Sequence, residues 1–391
     1  MADIMLVQNR SALSGEVDGR HVLFNLEDRQ LHQLNDTGAA TWSILQTPHR
    51  VGDVVEELSR RYGVRTEDVR ADVLALVESL REEGLCLPID CMEQDRSSAV
   101  HANARTGGQE RRNIHHTIGP FRALTLRVVL DVDDESVRHE LDRLLDPLRG
   151  SPPLSSDQEQ IEIQVQSAGT AEWSVQVGNG PTRTLRTRRA LIRHVVAEVN
   201  GSPLPYLDSA IVFHAAAAEI GSGIVMFPGV SNAGKSTLVT QLVHRGHGYV
   251  TDEATLIDTT TQMVSPFTKA ISLDPGSHEA LSEILSPMSA PGLGQGYAID
   301  VDPRSVGPGR LSDGGRVQAI VFPTFTPGAA TERTALDPFD SFSQLLACAF
   351  NFDGAGREAF DTIVNLANEV PAYNLVHSGG PEHLAMIEEL F

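Results

Sequence analysis

Short apolar runs and helical repeats alternate over the first part of the chain. Two apolar-rich runs, residues 21–25 and 30–34, are separated by turn-forming residues and predict a β-hairpin. Asn35 then precedes a segment typical of a helix start. Two later segments place valines and leucines at helical spacing and end at Gly63 and Gly84. We therefore predict a small α+β unit, with a hairpin followed by three helices.

Polar residues without periodicity follow, from residue 91 to residue 118. Serine, glycine, arginine and asparagine are frequent in this stretch, and no apolar repeat supports a strand or a helix. A chain of this composition cannot bury a face against a core. We predict a flexible linker over residues 91–118.

Strand and helix patterns resume beyond the linker. Residues 161–166 and 173–177 alternate polar and apolar side chains, which predicts half-buried antiparallel strands, and another alternating run covers residues 123–130. Residues 210–217 and 223–228 are apolar almost throughout, which is typical of strands buried on both faces. We predict a mixed α/β sheet with flanking helices.

The charge of the chain excludes several classes of partner. The formal net charge is −21 over 391 residues, whereas binding to nucleic acid or to anionic lipid needs a basic surface. No run approaches the ~18 apolar residues of a membrane span, and the first residues lack a signal-peptide pattern. Three cysteines do not indicate a disulfide framework. We expect a cytoplasmic protein without nucleic-acid or membrane partners.

A glycine-rich motif follows the second of the buried runs. Residues 229–237 fit the pattern G-x-x-x-x-G-K-[ST], with a strand pattern before them and a helical pattern after them. Glycines let backbone N–H groups converge on phosphate oxygens, and the helix N-terminus adds partial positive charge. The residues predicted to bind nucleotide here are Gly229, Ser231, Asn232, Ala233, Gly234, Lys235, Ser236 and Thr237.

Acidic and imidazole side chains flank this motif. His214 lies on the first buried run, and Asp252 and Glu253 end a short apolar run after the motif. A carboxylate at the tip of a neighbouring strand can hold Mg²⁺ or accept a proton from an attacking hydroxyl. An imidazole beside it can orient that carboxylate or stabilise the charge being transferred. Each of these residues alone is more typical of a structural role, but together with the motif they indicate phosphoryl transfer.

Three stretches resemble the HPr serine kinase/phosphorylase family, and above all its kinase-like relatives in peptide-modification clusters. The second glycine-rich signature of the true HPr kinases is not found, so the resemblance does not extend to HPr as the substrate or to the reverse reaction. The matching region spans about 45 residues and includes His214-Ala-Ala-Ala-Ala-Glu-Ile-Gly, Pro228-Gly-Val-Ser-Asn-Ala-Gly-Lys-Ser-Thr-Leu and Arg245-Gly-His-Gly-Tyr-Val-Thr-Asp-Glu.

The resemblance implies a P-loop kinase with ATP and Mg²⁺ as cofactors. It assigns Lys235 and the loop amides to the triphosphate and Ser236 to the metal. Asp252 would be the general base toward a hydroxyl acceptor, as well as a metal ligand, and His214 would be the partner of that base. Glu253 stands where the family has a second aspartate, so a metal role is retained.

Lysine is rare in this chain. Of 31 basic residues only Lys235 and Lys269 are lysines, and the rest are arginines. A lysine kept in such a chain indicates a place where a compact ammonium is needed. We therefore add Lys269 to the nucleotide-binding candidates, as a group that steadies phosphate charge, with an ordinary surface lysine as the alternative. Because HPr kinases assemble as oligomers, a homo-oligomer stays open.

The N-terminal unit resembles the PqqD family, a winged-helix element that recognises peptides. The family implies a leader peptide bound as an added strand beside the small sheet, against the third helix. Residues 1–90 carry about 16 acidic and about 9 basic side chains, which disfavours the DNA binding of other winged helices. The stretches that carry the resemblance are His21-Val-Leu-Phe-Asn, Leu34-Asn-Asp-Thr-Gly-Ala-Ala-Thr-Trp-Ser-Ile-Leu, Val51-Gly-Asp-Val-Val-Glu-Glu-Leu and Leu80-Arg-Glu-Glu-Gly-Leu.

These observations predict an α/β protein with three parts. Residues 1–90 form the PqqD-like winged-helix α+β domain, 91–118 the linker, and 119–391 an HPr-kinase-like P-loop domain. Within the last part, residues 119–200 are its N-terminal portion and 201–391 the nucleotide-binding core. The expected function is ATP-dependent phosphorylation of a Ser or Thr hydroxyl in a ribosomally made precursor peptide. A nucleotide-dependent scaffold that presents the peptide to another enzyme, and a small-molecule kinase, are the alternatives.

Overall fold

A computed structural model describes most of the chain. The described residues fall into two compact units, Met1–Arg111 and Arg112–Phe391. Most of the predicted linker lies outside the described residues. Its predicted end at residue 118 is two residues too late, because a strand begins at Thr117. The described residues are 4–88, 116–124, 126–149, 160–169, 172–201, 207, 209–288 and 296–391.

The first unit contains the predicted hairpin and helices. Arg20–Asn25 pairs antiparallel with both Ala12–Val17 and Leu31–Leu34. Met5–Gln8 pairs antiparallel with His49–Arg50 and with Cys86–Pro88. The helices of the described part of this unit are Asp36–Ile44, Val51–Tyr62 and Thr66–Glu82.

Local signals at the helix ends behave as the sequence predicts. The Asn35 side chain accepts a hydrogen bond from the Gly38 N–H at 2.8 Å, which caps the first helix. Gly63 has a φ of 65° and ends the second helix in the left-handed conformation that favours glycine. The apolar positions of the third helix turn inward, so that Val73 is 1% exposed and Val77 is 5% exposed. These two valines are core residues rather than parts of an open groove.

A mixed sheet opens the second unit. Leu126–Val132 and Gln160–Gly169 pair in parallel, and the other neighbours pair antiparallel. The predicted strand over residues 123–130 is divided, because Leu124 adopts a φ of 52° between two strands. The helices here are Glu135–Leu145 and Arg188–Gly201, and the described strands in spatial order are Arg183–Leu185, Glu172–Val177, Gln160–Gly169, Leu126–Val132 and Thr117–Ala123.

A larger sheet carries the glycine-rich motif. The strand Gly223–Pro228 pairs antiparallel with Ala210–Ile220 and in parallel with Gly315–Phe325. Ala210–Ile220 also pairs with Gly248–Thr251, which precedes the predicted acidic pair. All six residues of Gly223–Pro228 are buried, as predicted for a strand covered on both faces.

The five-stranded sheet and the larger sheet of the second unit contribute to the same apolar core cluster. Phe121, Leu130 and Trp173 from the smaller sheet pack in the same cluster as Val212 and Leu256 from the larger sheet. A separate lobe would bury its own core, so the segment that includes residues 119–200 is continuous with the rest of the unit.

The remaining described strands belong to the larger sheet, except that Ile271–Leu273 and Ile299–Val301 pair antiparallel with each other in a separate two-stranded sheet. Among the described residues, no helix is both long and apolar enough to span a membrane. The further strands are Ala254–Asp258, Met263–Ser265, Ile271–Leu273, Ile299–Val301, Glu332–Ala335 and Ala372–His377. The further α-helices are Lys235–His244, Pro275–His278, Ser282–Leu285, Pro338–Cys348, Phe352–Glu369 and Glu382–Glu388, and short 3₁₀ turns are Asp146–Arg149, Ser286–Met288 and Pro303–Ser305.

Candidate functional site

The glycine-rich motif forms a loop between the strand Gly223–Pro228 and the helix Lys235–His244. Gly234 precedes the helix with a φ of 87°, a conformation that favours glycine. The first N–H groups of a helix have no partners within the helix, so they are directed toward the loop and its surroundings. This arrangement forms a concave, positively polarised surface suited to an anion.

The Lys235 ammonium makes three short contacts beside the loop. It donates to the carbonyl oxygens of Gly229 and Val230, each at 2.8 Å, and it lies 3.0 Å from Nε2 of His214. An ammonium has only donors, so Nε2 of His214 is the acceptor and the imidazole proton resides on Nδ1. All three N–H groups of Lys235 therefore have an acceptor.

His214 partners Lys235 rather than Asp252. Burial lowers the pKa of His214, and the nearby Lys235 charge lowers it further, while Glu253 acts in the opposite direction. Burial also lowers the pKa of Lys235. Within the described residues no hydrogen bond joins His214 to Asp252, so the predicted role as partner of the base does not match this geometry. The imidazole instead orients the lysine.

Asp252 is 2% exposed and is held by four donors. Its Oδ1 accepts from the Tyr249 hydroxyl at 3.0 Å and lies 2.6 Å from Nζ of Lys269. Its Oδ2 accepts from the Ser272 N–H at 3.1 Å and from the Ser236 hydroxyl at 3.4 Å. Both oxygens have fixed directions, so the side chain is rigidly positioned at the edge of the sheet.

Lys269 is buried, not on the surface, and it binds carboxylates. Its side chain is 4% exposed, and its ammonium lies 3.4 Å from Oε2 of Glu253 as well as against Asp252. Burial acts to lower the pKa of Lys269, but the attraction of Asp252 and Glu253 outweighs burial and raises it. The lysine therefore carries its charge, and that charge offsets one of the two negative charges of the acidic pair. A direct contact between Lys269 and the loop is not observed among the described residues.

The loop faces a cavity of about 460 Å³. Of the predicted nucleotide-binding residues, Gly229, Ala233 and Lys269 do not line it, although the Gly229 carbonyl binds Lys235. The Thr237 hydroxyl donates to the Ser277 hydroxyl at 2.9 Å, which ties the start of the helix to the opposite wall. The residues that line the cavity are His214, Ser231, Asn232, Gly234, Lys235, Ser236, Thr237, Gln241, Asp252, Glu253, Ser272, Asp274, Gly276, Ser277, Ala280, Phe325, His377 and Gly379.

A second cavity of about 400 Å³ adjoins the first. The two cavities share Glu253 and Ser272. The Glu253 side chain is 57% exposed, so it is the accessible member of the acidic pair. The wall of the second cavity is mixed, with an apolar part and with the charged residues Arg193, Glu253, Lys269 and Asp300. Its lining residues are Leu124, Arg193, Val196, Ala197, Asn200, Gly201, Glu253, Ala254, Phe267, Lys269, Ala270, Ser272, Ala298, Asp300 and Phe350.

Several residues of this region were not singled out from the sequence. Tyr249 donates to Asp252, and burial raises its pKa well above the usual range, so its hydroxyl keeps its proton. A tyrosine in an otherwise apolar buried strand is a signal that could have identified it, because a buried hydroxyl needs a partner. Ser272 acts through its backbone N–H, which no side-chain pattern reveals.

Two oxygen atoms beside the loop are of the kind that binds magnesium, although they lie slightly farther apart than adjacent magnesium ligands. Ser236 Oγ and Asp252 Oδ2 lie 3.4 Å apart. Adjacent ligands of an octahedral Mg²⁺ are about 2.9 Å apart, given metal–oxygen distances of 2.0–2.1 Å. Within the described ranges no group of three or more His, Cys, Asp or Glu side chains is arranged to hold a metal. Magnesium at this place would therefore need phosphate and water oxygens as further ligands.

The first unit has an edge strand beside its third helix. Leu31–Leu34 pairs with Arg20–Asn25 on one side, and the described residues place no strand on its other side. The Asn25 N–H donates to the Gln30 carbonyl at 3.0 Å. In an antiparallel ladder this bond orients the N–H and C=O groups of Leu31 and Gln33 outward.

The end of the third helix closes one side of this edge. His32 Nδ1 lies 3.1 Å from Oε2 of Glu83, which follows the helix directly. The Asn25 side-chain amide donates to the Glu83 carbonyl at 3.2 Å. An open strand edge with outward N–H and C=O groups can accept an added strand.

Comparison with known proteins identifies the first unit. The family model described as Coenzyme PQQ synthesis protein D (PqqD) matches residues 20–85. The chain therefore carries a PqqD-like domain in its N-terminal unit, as its sequence stretches predict. None of the curated proteins matches the chain.

Three solved structures are similar to about a fifth of the chain. "TbiB1 in Complex with the TbiA(beta) Leader Peptide" is 22% identical, with 20% of this chain and 93% of that chain covered and a TM-score of 0.19. "Lasso peptide synthetase B1 complexed with the leader peptide" is 32% identical, with 21% and 98% covered and a TM-score of 0.20. The PqqD truncation of PqqCD from Methylobacterium extorquens, described as a stand-alone RiPP recognition element, is 17% identical, with 22% and 93% covered and a TM-score of 0.21.

Proposed function

We propose that this protein is an ATP-dependent kinase that phosphorylates a Ser or Thr hydroxyl of a ribosomally made precursor peptide, whose leader binds the N-terminal unit. The observation that carries the proposal is the convergence of Lys235, Ser236, Asp252 and Glu253 on one cavity. A kinase needs this whole set, with one group for the phosphates, one for the metal and a carboxylate that accepts a proton, whereas a scaffold needs only the first two.

Phosphate binding rests on the loop and on Lys235. The loop amides and the helix N-terminus attract the β- and γ-phosphates, and Lys235 lies at the same end of the loop. Because its ammonium is bound to two loop carbonyls and to His214, it reaches a phosphate by exchanging one or more of these acceptors. His214 then limits how far the ammonium can move.

Transfer itself needs a proton acceptor and charge neutralisation. Asp252 takes the proton of the acceptor hydroxyl while the oxygen of that hydroxyl forms a bond to the γ-phosphorus. At the same time the bond between the γ-phosphorus and the oxygen that bridges it to the β-phosphate breaks. The electron pair leaves with ADP. Ser236, Asp252 and Glu253 would hold Mg²⁺, which neutralises charge on the phosphates when it is bound. Lys269 pairs with Asp252 and holds its carboxylate in place.

The second cavity supports an approach path for the acceptor. Glu253 and Ser272 line both cavities, so a hydroxyl that arrives from the second cavity meets phosphates bound in the first beside the acidic pair. Val196, Phe267 and Phe350 provide an apolar wall that suits a peptide segment around the hydroxyl.

Leader binding rests on the first unit. The PqqD match over residues 20–85 covers the edge strand Leu31–Leu34 and the third helix, and similar solved structures are described as complexes with leader peptides. A leader that pairs with this edge raises the effective concentration of the attached core segment at the second unit.

The test combines the full chain, ATP, Mg²⁺ and candidate precursor peptides that carry their leaders, and it measures the masses of the products. A gain of about 80 Da on the peptide, lost when the leader is removed, supports the proposal. Nucleotide binding with no modified peptide favours a non-catalytic scaffold. ADP formation with a small hydroxyl compound alone favours a small-molecule kinase.

A further inference from the structure

Two rings in the wall of the loop cavity have no part in the chemistry proposed above. Phe325 is 46% exposed although it is a large apolar side chain, and His377 is 4% exposed. Both line the cavity, and their ring centroids are 5.8 Å apart in an edge-to-face arrangement. They also lie against the loop, since a Cβ at Gly234 would lie 3.6 Å from Cβ of Phe325 and 3.7 Å from Nε2 of His377.

The order of the strands puts these rings on the side away from the acidic pair. Gly223–Pro228, Gly315–Phe325 and Ala372–His377 are neighbouring parallel strands, so their carboxyl ends reach one edge of the sheet. Gly248–Thr251 reaches the same edge on the opposite side, because it is separated from the loop strand by one antiparallel strand.

This order fixes the direction of a nucleotide along the edge. Asp252 and His377 are four strand positions apart, about 19 Å at ~4.8 Å per strand, with the loop between them. If the terminal phosphate lies beside Asp252 and the other phosphates lie over the loop, the base end extends toward Phe325 and His377.

His377 itself indicates a missing partner. Neither ring nitrogen has a hydrogen-bond partner within the described residues, although the side chain is almost fully buried. A buried polar group without a partner costs free energy, and most such groups in native proteins are satisfied. His383 stacks on His377 at 4.5 Å and holds it from behind, so the ring is fixed in place.

We propose that Phe325 and His377 form the site for the nucleobase of the phosphoryl donor, an inference that rests on the proposed nucleotide-dependent function. Phe325 offers a face on which a flat heteroaromatic ring stacks. A neutral imidazole offers one donor and one acceptor, which matches the mixed edge of a nucleobase. Burial and His383 lower the pKa of His377 to about 4, so the ring is neutral at pH 7.

The test compares ATP with inorganic tripolyphosphate, each with Mg²⁺, by calorimetric titration of the full chain. Phe325→Ala should raise the Kd for ATP about 10-fold, because stacking on one base is lost, and should change the Kd for tripolyphosphate less than about twofold. Phe325→Tyr keeps the ring and should restore ATP affinity. Phe391→Ala removes an equally exposed phenylalanine outside the cavity and is the matched control.

The outcomes separate this site from the proposed function. A selective loss of ATP affinity in Phe325→Ala, with the tripolyphosphate affinity kept, supports the nucleobase site. Equal losses for both ligands, or no loss for either, overturn the nucleobase site and leave the kinase proposal standing. A wild-type chain that binds neither ligand overturns both.

Discussion

The Lys269 ammonium lies 2.6 Å from Oδ1 of Asp252, and both side chains are almost completely buried. This pair and the Lys235–His214 contact account for both lysines of the chain. Each lysine holds a different part of the candidate site: Lys235 belongs to the loop, and Lys269 belongs to the acidic pair. The rarity of lysine in the sequence therefore coincides with two buried positions where a compact cation has a specific partner.

Removing the charge of Lys269 should destabilise the protein. In Lys269→Met the Asp252 carboxylate stays buried beside Tyr249 without its cation, which costs about 3–5 kcal/mol of unfolding free energy. Urea unfolding of the full chain measures this loss. The double variant Lys269→Met/Asp252→Asn should recover part of it, because no uncompensated charge remains. If Lys269→Met is as stable as wild type, the Lys269–Asp252 ion pair does not contribute to the stability of the fold.

Asp252→Asn should separate nucleotide binding from transfer. The amide keeps the size of the side chain but does not take a proton, so peptide phosphorylation should fall at least about 100-fold while ATP binding persists. Product mass and calorimetric titration measure the two properties. Asp313→Asn, an exposed position outside both cavities, is the matched control. Normal turnover in Asp252→Asn would show that another group accepts the proton.

Filling the second cavity should block the acceptor but not the donor. Ala197 is exposed on the helix Arg188–Gly201 and lines the second cavity only. Ala197→Trp should reduce peptide phosphorylation more than about 10-fold and leave the Kd for ATP within about twofold, since the indole occupies the apolar wall. Ala190→Trp on the same helix, outside both linings, should retain activity. Unchanged phosphorylation in Ala197→Trp would mean that the acceptor approaches elsewhere.

Proline at Gln33 should weaken leader binding without disturbing the fold. The Gln33 N–H is directed outward from the edge strand, so its loss leaves the existing ladder intact but removes a donor to an added strand. Fluorescence anisotropy of a labelled leader peptide should show a Kd raised about 5-fold or more. Gln33→Ala keeps the N–H and should bind like wild type. Equal affinity in all three proteins would exclude pairing at this edge.

Acid should destabilise the second unit through His377. The pKa of this ring falls from its ordinary value of 6.5 to about 4 on folding, because burial and His383 disfavour the charged form. Its stabilising contribution is therefore complete above pH 6.5, is lost as the pH falls toward 4, and amounts to roughly 3 kcal/mol. Urea unfolding from pH 7.5 to pH 4 should show a shallower loss for His377→Gln than for wild type. If the unfolding free energies of wild type and His377→Gln fall equally with pH, His377 is excluded as a source of acid sensitivity.

The local elements of the chain could be predicted because the signals for them are local. The hairpin, the Asn35 cap, the glycine-ended helices and the buried strand Gly223–Pro228 all follow from residues adjacent in sequence. The strand predicted over residues 123–130 is confirmed from Leu126 onward but was started too early, because a pattern of alternating side chains does not reveal that Leu124 turns the backbone.

The partners within the site could be predicted less well, because they depend on tertiary packing. His214 could be singled out from the sequence together with the motif. Its contact with Lys235 rather than Asp252 depends on how the strand Ala210–Ile220 pairs beside the loop. Lys269 is distant from Asp252 in sequence, so nothing local indicates that it is buried or paired. Which of these groups bind nucleotide and metal stays a prediction.

An anion that binds Lys235 must replace at least one of the three hydrogen bonds that the ammonium already makes. The present acceptors are two carbonyl oxygens and an imidazole nitrogen, so a bound anion must interact with the ammonium more strongly than the acceptor it replaces. A singly charged ion such as chloride offers little, whereas adjacent phosphates bring several charges and many oxygens at once. We therefore expect the loop to bind polyphosphates in preference to chloride, even in the absence of contacts to a base or an acceptor.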